Sequence, residues 1–265
     1  MSAFSHIPKV VRDCDPEDAP YPDEMQALEE YLAGNIKPEE AAERITKPTS
    51  LSTNPEHDLP RLYGLLQDCL SELSSSATTS LLKLIRAIEA LPPPDFSRVP
   101  KSDRPAHGQL WRGLPGFGHG WADDYPSLEH WLDSGGLSKP AEEREQFLAR
   151  QVRRAEVEAR LAQEGLASIP LDWGYERVAD ALERSQAVLE AEVPMACKWI
   201  EYAGDAFREG ADKGEESWAL RRERDLWTGG ERGKMSVERW KFWVKRLQEL
   251  ESDEKEGGPE RKRRC

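Results

Sequence analysis

The stretch LPRLYGLLQDCLSELSSSATTSLLKLIRAIEAL, Leu59 to Leu91, carries apolar residues at helical steps: Leu59, Leu62, Tyr63, Leu66, Leu70 and Leu73, then Leu81, Leu84, Ile85, Ile88 and Leu91. Such spacing puts each set on one face of a helix, and the turn-like SSSATT between them predicts an antiparallel helical hairpin at the centre of a core.

The same period recurs on both sides. Upstream, Pro22 marks a helix start with Met25, Leu28 and Leu32 on one face and Gly34 as the stop; a second helix opens at Pro38, carries Ala41, Ala42 and Ile45, and ends at Pro48. Downstream, Leu148, Val152, Ala155, Ala159, Ala162 and Leu166 predict a long helix with a narrow seam, and Tyr175, Val178, Ala179, Leu182 and Leu189 the next. Pro194 opens a helix whose inner arc holds Ala196, Trp199, Ile200, Tyr202, Ala203, Ala206 and Phe207, and a last helix begins near Ser236. No run of alternating β-branched residues bounded by turns occurs, so the expectation is an all-α fold of about seven or eight helices. Its expected layout is an irregular arm over 1–20, a helical domain over 21–251 and a disordered charged tail over 252–265.

Between Pro92 and Pro126 the helical period disappears, yet Leu110, Trp111, Leu114, Phe117 and Trp121 make the segment too apolar for a free linker. A long Pro/Gly-rich loop packed down on the helices, ordered at least from Gln109, is expected.

A chain of 265 residues can bury an ample core without disulfides or metals. Its net charge of -13 repels phosphate backbones, which argues against bulk nucleic-acid binding. Cys14, Cys69, Cys197 and Cys265 show no CxxC pairing and read as reduced thiols. With no signal-like or membrane-spanning apolar run, a cytoplasmic protein is expected, with nuclear entry open through the basic Arg261–Arg264 cluster.

Chemistry-bearing motifs are weak. Gly116-Phe117-Gly118-His119-Gly120 follows no predicted strand and lacks the Lys or Ser of a phosphate loop. His119 with Asp123 and Asp124 are candidates for an acid/base pair or metal ligands, against the plainer alternative of a hydrogen-bonded turn. Asp123 and Asp124 are followed by Tyr125 and Pro126, which break the helical spacing of a magnesium-diphosphate motif. No catalytic residue, metal or cofactor is indicated, and Cys69 and Cys197 fall in apolar patterns where thiols stay protonated.

Five of the nine tryptophans, Trp199, Trp218, Trp227, Trp240 and Trp243, gather near the C-terminus. In the last helix Val237, Trp240, Trp243, Val244, Leu247 and Leu250 share one arc, so Trp240 and Trp243 are expected in the core. Phe242 falls on the reverse face and needs cover from a loop, a ligand or a second subunit, which allows a homo-oligomer through that face. Trp227, beside Gly229 and Gly230, is a plug or a pocket wall; Arg239 is expected to stack on an indole, in preference to binding a carboxylate.

The phrases GNIKPEEAAERITKP, LWRGLPGFG, ACKWIEYAGDAF and DLWTGGERGKMSVERWKFWVKRL, in that order, resemble the fungal family known as domain of unknown function 3632. The resemblance covers most of residues 25–250 and implies a mostly helical protein; it implies no activity, cofactor or catalytic residue. ADKGEESWALRRER, ahead of Leu226, looks like an extension in this chain.

Two functional readings follow. The first is a binding or interaction module whose partner is a protein or a small molecule. The second is an enzyme acting on an apolar metabolite enclosed by Trp111, Phe117, Trp121, Trp199 and Trp227, with His119, Asp123 or Arg239 as polar groups.

Overall fold

The computed structural model describes residues 5–12, 19–101, 104, 109–123 and 127–256. Among them the protein is all-α: eleven α-helices, eight of them 11 to 25 residues long, with single 3₁₀ turns and one isolated bridge. They gather into two compact units, Met1–Arg144 with Glu164–Ile169, and Glu145–Gln163 with Pro170–Cys265.

The first unit is built on α2 (Pro22–Leu32), α3 (Pro38–Leu51), α4 (Pro55–Glu72) and α5 (Ser75–Glu89). Pro begins three of these four, where its missing N–H has no helical partner to lose. The hairpin of α4 and α5 forms, but its turn is only Leu73 and Ser74, because SSATT joins α5. The main companion of α5 is α3, with α4 packed more lightly against both. Leu66, Leu70, Leu84 and Ile85 are fully buried, each worth about 1.5–3 kcal/mol of burial.

Contrary to the expected stop, α3 runs through Pro48 to Leu51. Proline there forfeits one backbone bond, but Thr46 and Thr49 behind and beyond it are buried, so packing holds the turn that propensity alone would end. A helical turn, α1 (Lys9–Arg12), precedes α2; Ile7 and Val11 are buried, and the backbone N–H groups of Ser5 and His6 donate to Glu29.

The loop after α5 is not without regular structure. Phe117–Asp123 form α6 and Leu128–Asp133 form α7. Two glycines weaken α6, and tertiary contacts override them: Phe117 meets Tyr63 edge-on at 5.4 Å and stacks on Trp121 at 6.4 Å, while Gln67 Nε2 donates to the Phe117 carbonyl at 2.9 Å. Ahead of α6 the chain turns through Gly113 (φ 70°) and Leu114 (φ 41°). Leu114 tolerates this left-handed geometry because its side chain is fully buried and the turn is tied from the other side, where Ser168 Oγ donates to the Gly113 carbonyl at 2.7 Å. Glu89 accepts the Ala167 N–H at 2.6 Å and fixes that second turn.

In the second unit lie most of α8 (Ala141–Glu164), then α9 (Leu171–Leu182), α10 (Leu189–Lys213) and α11 (Val237–Glu256). The narrow seam expected on α8 is not what forms: from Ala155 to Ala159 all five residues are buried, Glu156 and Glu158 included. Those carboxylates are carried by arginines one turn away, Arg154 to Glu158 at 2.8 Å and Arg160 to Glu156 at 3.3 Å. Similarly, α10 begins at Leu189 and not at Pro194. Glu192 explains it, accepting the Val188 N–H at 3.0 Å and Arg184 Nη2 at 2.6 Å, which caps the helix a turn before the proline.

The pairing of α9 with α10 is close at Gly174, where a Cβ would lie 2.2 Å from the Trp199 ring and 2.6 Å from Phe207. Trp199 stacks on Phe207 at 6.2 Å, and Phe207 meets Trp243 edge-on at 6.1 Å, so three elements share one aromatic core. At the far end α11 continues to Glu256, past the residue at which the charged tail was expected to begin.

Candidate functional site

Asp172, Glu176 and Asp180 on α9 and Glu183 at its C-cap follow one another at steps of four, four and three, which aligns four carboxylates on one stripe. They fasten the connection between α10 and α11. Ser217 Oγ donates to Asp172 at 2.6 Å, and Arg224 Nε donates to Asp180 at 2.8 Å with its side chain almost wholly buried. The connection is also tied to itself, Ser217 N–H to the Gly233 carbonyl and Met235 N–H to the Glu215 carbonyl, both at 2.8 Å. The segment around ADKGEESWALRRER is thus tied both to α9 and to the residues that follow it.

Glu183 is the last and most occupied of the four. Its carboxylate is fully buried and accepts three bonds: Arg239 Nε at 2.7 Å, Arg239 Nη2 at 3.2 Å and Trp243 Nε1 at 2.8 Å. The remaining Arg239 nitrogen, Nη1, donates to the Lys234 carbonyl at 2.9 Å, and the guanidinium lies 5.2 Å from the centre of Trp227. Both roles considered for Arg239 are therefore filled at once, with the bidentate carboxylate as the shorter contact. Trp227 in turn covers Phe242, ring centres 5.3 Å apart, and each of the two is half-buried.

Glu176, by contrast, has its carboxyl held above the ordinary range, first by burial and then by Asp180, with Arg177 and Arg224 opposing. A carboxyl raised on folding stabilises the native state fully below its unfolded pKa of about 4.5, and that contribution is lost as pH rises through the folded value. Glu176→Gln is therefore expected to gain stability on the wild type as pH climbs from 4.5 to 8, by about 1 kcal/mol or less; parallel denaturation curves at the two pH values check it.

The apolar arc of α11 is wider than one neighbour can cover, and it divides. Trp243 is fully buried, whereas Trp240 is only half-buried, a correction to the expectation that both belong to the core. Trp240 packs edge-on to Trp243 at 6.5 Å and reaches α10 at Gly204. With Val237, Val244 and Ala211 it forms the apolar part of an open groove of about 390 Å³ along α10 and α11, edged by Arg208, Asp212, Lys241, Lys245 and Gln248. Val244 is 38 % exposed, and Trp218, on the pinned connection, 52 %.

The other residues singled out from the sequence are distributed differently. Trp111, Phe117 and Trp121 belong to the first unit, and Trp199 and Trp227 to the second; the first four are at most 2 % exposed and act as packing. His119 and Asp123 are exposed on α6, and Asp124 lies outside the described residues, as do Cys14 and the Arg261–Cys265 cluster. Among the described residues no three His, Cys, Asp or Glu side chains converge on a metal-sized site, and no helix is long and apolar enough to cross a membrane. Burial pushes the Cys69 thiol well above its ordinary value. Cys197, expected on an apolar face, is exposed on α10; partial burial of its sulfur and then Glu201 still hold the thiol up.

The groove itself was not legible in the sequence: Val237, Trp240 and Val244 share their arc with true core positions, and Arg208, Lys241 and Lys245 read as ordinary solvated charge. The partner of Arg239 was equally hidden, since Glu183 is 56 positions away.

No curated protein and no solved structure matches the chain significantly. The family model described as "Protein of unknown function (DUF3632)" matches residues 63–247, a span that takes in LWRGLPGFG, ACKWIEYAGDAF and the Glu183–Arg239–Trp243 clamp, and closes at Leu247 on α11. The fully helical build, the buried phrases and the length of that match converge on one statement: the chain belongs to the DUF3632 family.

Proposed function

We propose that the protein works as a binding module, docking a partner on the α10–α11 face of its second unit. One observation carries this reading: on α11 the apolar arc overshoots the core and leaves Val237, Trp240 and Val244 flooring an open groove. Four of the five aromatic residues that an enclosed metabolite would need as walls, Trp111, Phe117, Trp121 and Trp199, are spent on packing, and the polar cluster of Glu183 with Arg239 and Trp243 is occupied by its own members. An aromatic anchor in a shallow apolar trough is how interfaces concentrate binding energy.

Lys241 and Lys245 edge the groove and are exposed, so an amine-reactive crosslinker applied to cells of the source reports on it directly. Intermolecular crosslinks are expected at these two lysines in preference to the equally exposed Lys83 on α5. Crosslinks to other proteins at Lys83 but none at Lys241 or Lys245 would remove the proposal.

A further inference from the structure

Resting on that reading, we infer that the groove takes an acidic, helix-forming peptide of a partner protein. The charge around it runs against the charge of the whole. A chain of net charge -13 places Arg208, Lys241 and Lys245 at the rim of this groove and a single carboxylate, Asp212, among them. Lys245 makes only a loose pair with Glu249 at 3.5 Å on the exposed surface, a contact of small energy that a competing carboxylate can replace. Among the described residues Arg208 has no carboxylate within ion-pair distance, and Lys241 has only the longer-range pull of Glu238, three positions earlier on exposed α11. Lys241 and Lys245, one turn apart, flank the line of Val237, Trp240 and Val244, whose spacing of three and four is that of a helix face.

Dimensions agree with a helical guest. From Val237 to Gln248 the lining residues of α11 extend roughly 17 Å, the length of about three helical turns. An amphipathic helix laying Leu or Phe at i, i+3, i+4 and i+7 on this floor presents its flanks to the two rims, where Glu or Asp meets Arg208 on one side and Lys241 and Lys245 on the other. The C-terminal segment of the chain itself is the wrong sign: Arg261, Lys262, Arg263 and Arg264 repel the same rims.

Fluorescence polarisation with the full chain and labelled peptides of about 14 residues tests this: an amphipathic helix with Leu at the four anchor positions and Glu on its flanks, and its twin with Lys for Glu. The Glu peptide is expected to bind about tenfold or more tightly than the Lys peptide, to weaken with added salt, and to lose about tenfold or more in affinity for Lys241→Glu/Lys245→Glu. Equal binding of the Lys peptide, or an unchanged affinity in the double variant, overturns the acidic partner while leaving docking at this face intact. Two further outcomes overturn it in favour of another occupant: removal of residues 257–265 raising the Glu-peptide affinity about tenfold, which assigns the groove to the chain's own tail, or a dimer in sedimentation that Val244→Glu dissociates, which assigns it to a second copy.

Discussion

Replacing Arg239 by alanine is expected to cost about 3–5 kcal/mol, one of the two largest single-residue effects in the protein. The substitution leaves the Glu183 carboxylate fully buried with only the Trp243 indole to hold it, and deletes the bond to the Lys234 carbonyl that closes the α10–α11 connection. The stacking surface for Trp227 goes as well, and with it the support of Phe242. For a protein of this size the loss corresponds to a fall in Tm of roughly 6–20 °C. The pair's net worth is smaller than either truncation suggests, because removing both partners removes the stranded charge. Glu183→Leu/Arg239→Leu is thus expected to be less damaged than Arg239→Ala by about 1–3 kcal/mol; additive losses in the double-mutant cycle would show that the two groups do not act as one unit.

Trp121→Ala is the second, at about 3–5 kcal/mol. Its ring is fully buried in the first unit, stacked on Phe117, which is itself wedged against Tyr63 of α4. Truncation empties the volume that justifies α6 at all, since Gly118 and Gly120 give this helix little intrinsic stability. Urea unfolding separates the two meanings of an aromatic at this place. A wall of a solvent-filled binding pocket can be trimmed with little change in midpoint, while a packed core residue cannot; retention of the wild-type midpoint would return Trp121 to the list of binding residues.

How much of this was legible beforehand depended on the range of the interaction. Residues whose environment is set within one or two helical turns read correctly: the period of Leu62, Leu66 and Leu70, and of Leu81, Leu84 and Ile88, specified α4 and α5, and all six are buried. Local rules failed where a distant or off-register side chain overruled them. By local rules Pro48 and Pro194 are helix boundaries, but buried threonines in one case and the capping Glu192 in the other carry the helix beyond them. GFGHG looked like loop until Tyr63 and Gln67, some 50 positions earlier, supplied its packing and a hydrogen bond.

The candidate site divides along the same line. Arg239 and Trp243 were conspicuous, yet the group that organises them, Glu183, comes just after α9 in a run of acids that resembles a solvated face. Trp240 and Val244 shared a helical arc with Trp243, and periodicity alone cannot say where along an arc the neighbour's cover ends. That boundary is drawn by α10, whose Gly204 admits the edge of Trp240, while Val244, in the groove that Arg208 and Asp212 also line, stays 38 % exposed.

Clamp and groove are thus adjacent on one helix and make opposite demands on substitution. Val244→Glu places a charge in the floor of the groove at a position already 38 % exposed, where it can be hydrated without disturbing Trp243. The most direct measurement is the yield of partner crosslinked to Lys241 and Lys245 in Val244→Glu relative to the wild type, taken on protein whose Tm is checked alongside. The expected result is loss of most of the crosslinked partner with Tm shifted by no more than about 2 °C. Undiminished crosslinking in a stably folded Val244→Glu protein would contradict a binding role for this face.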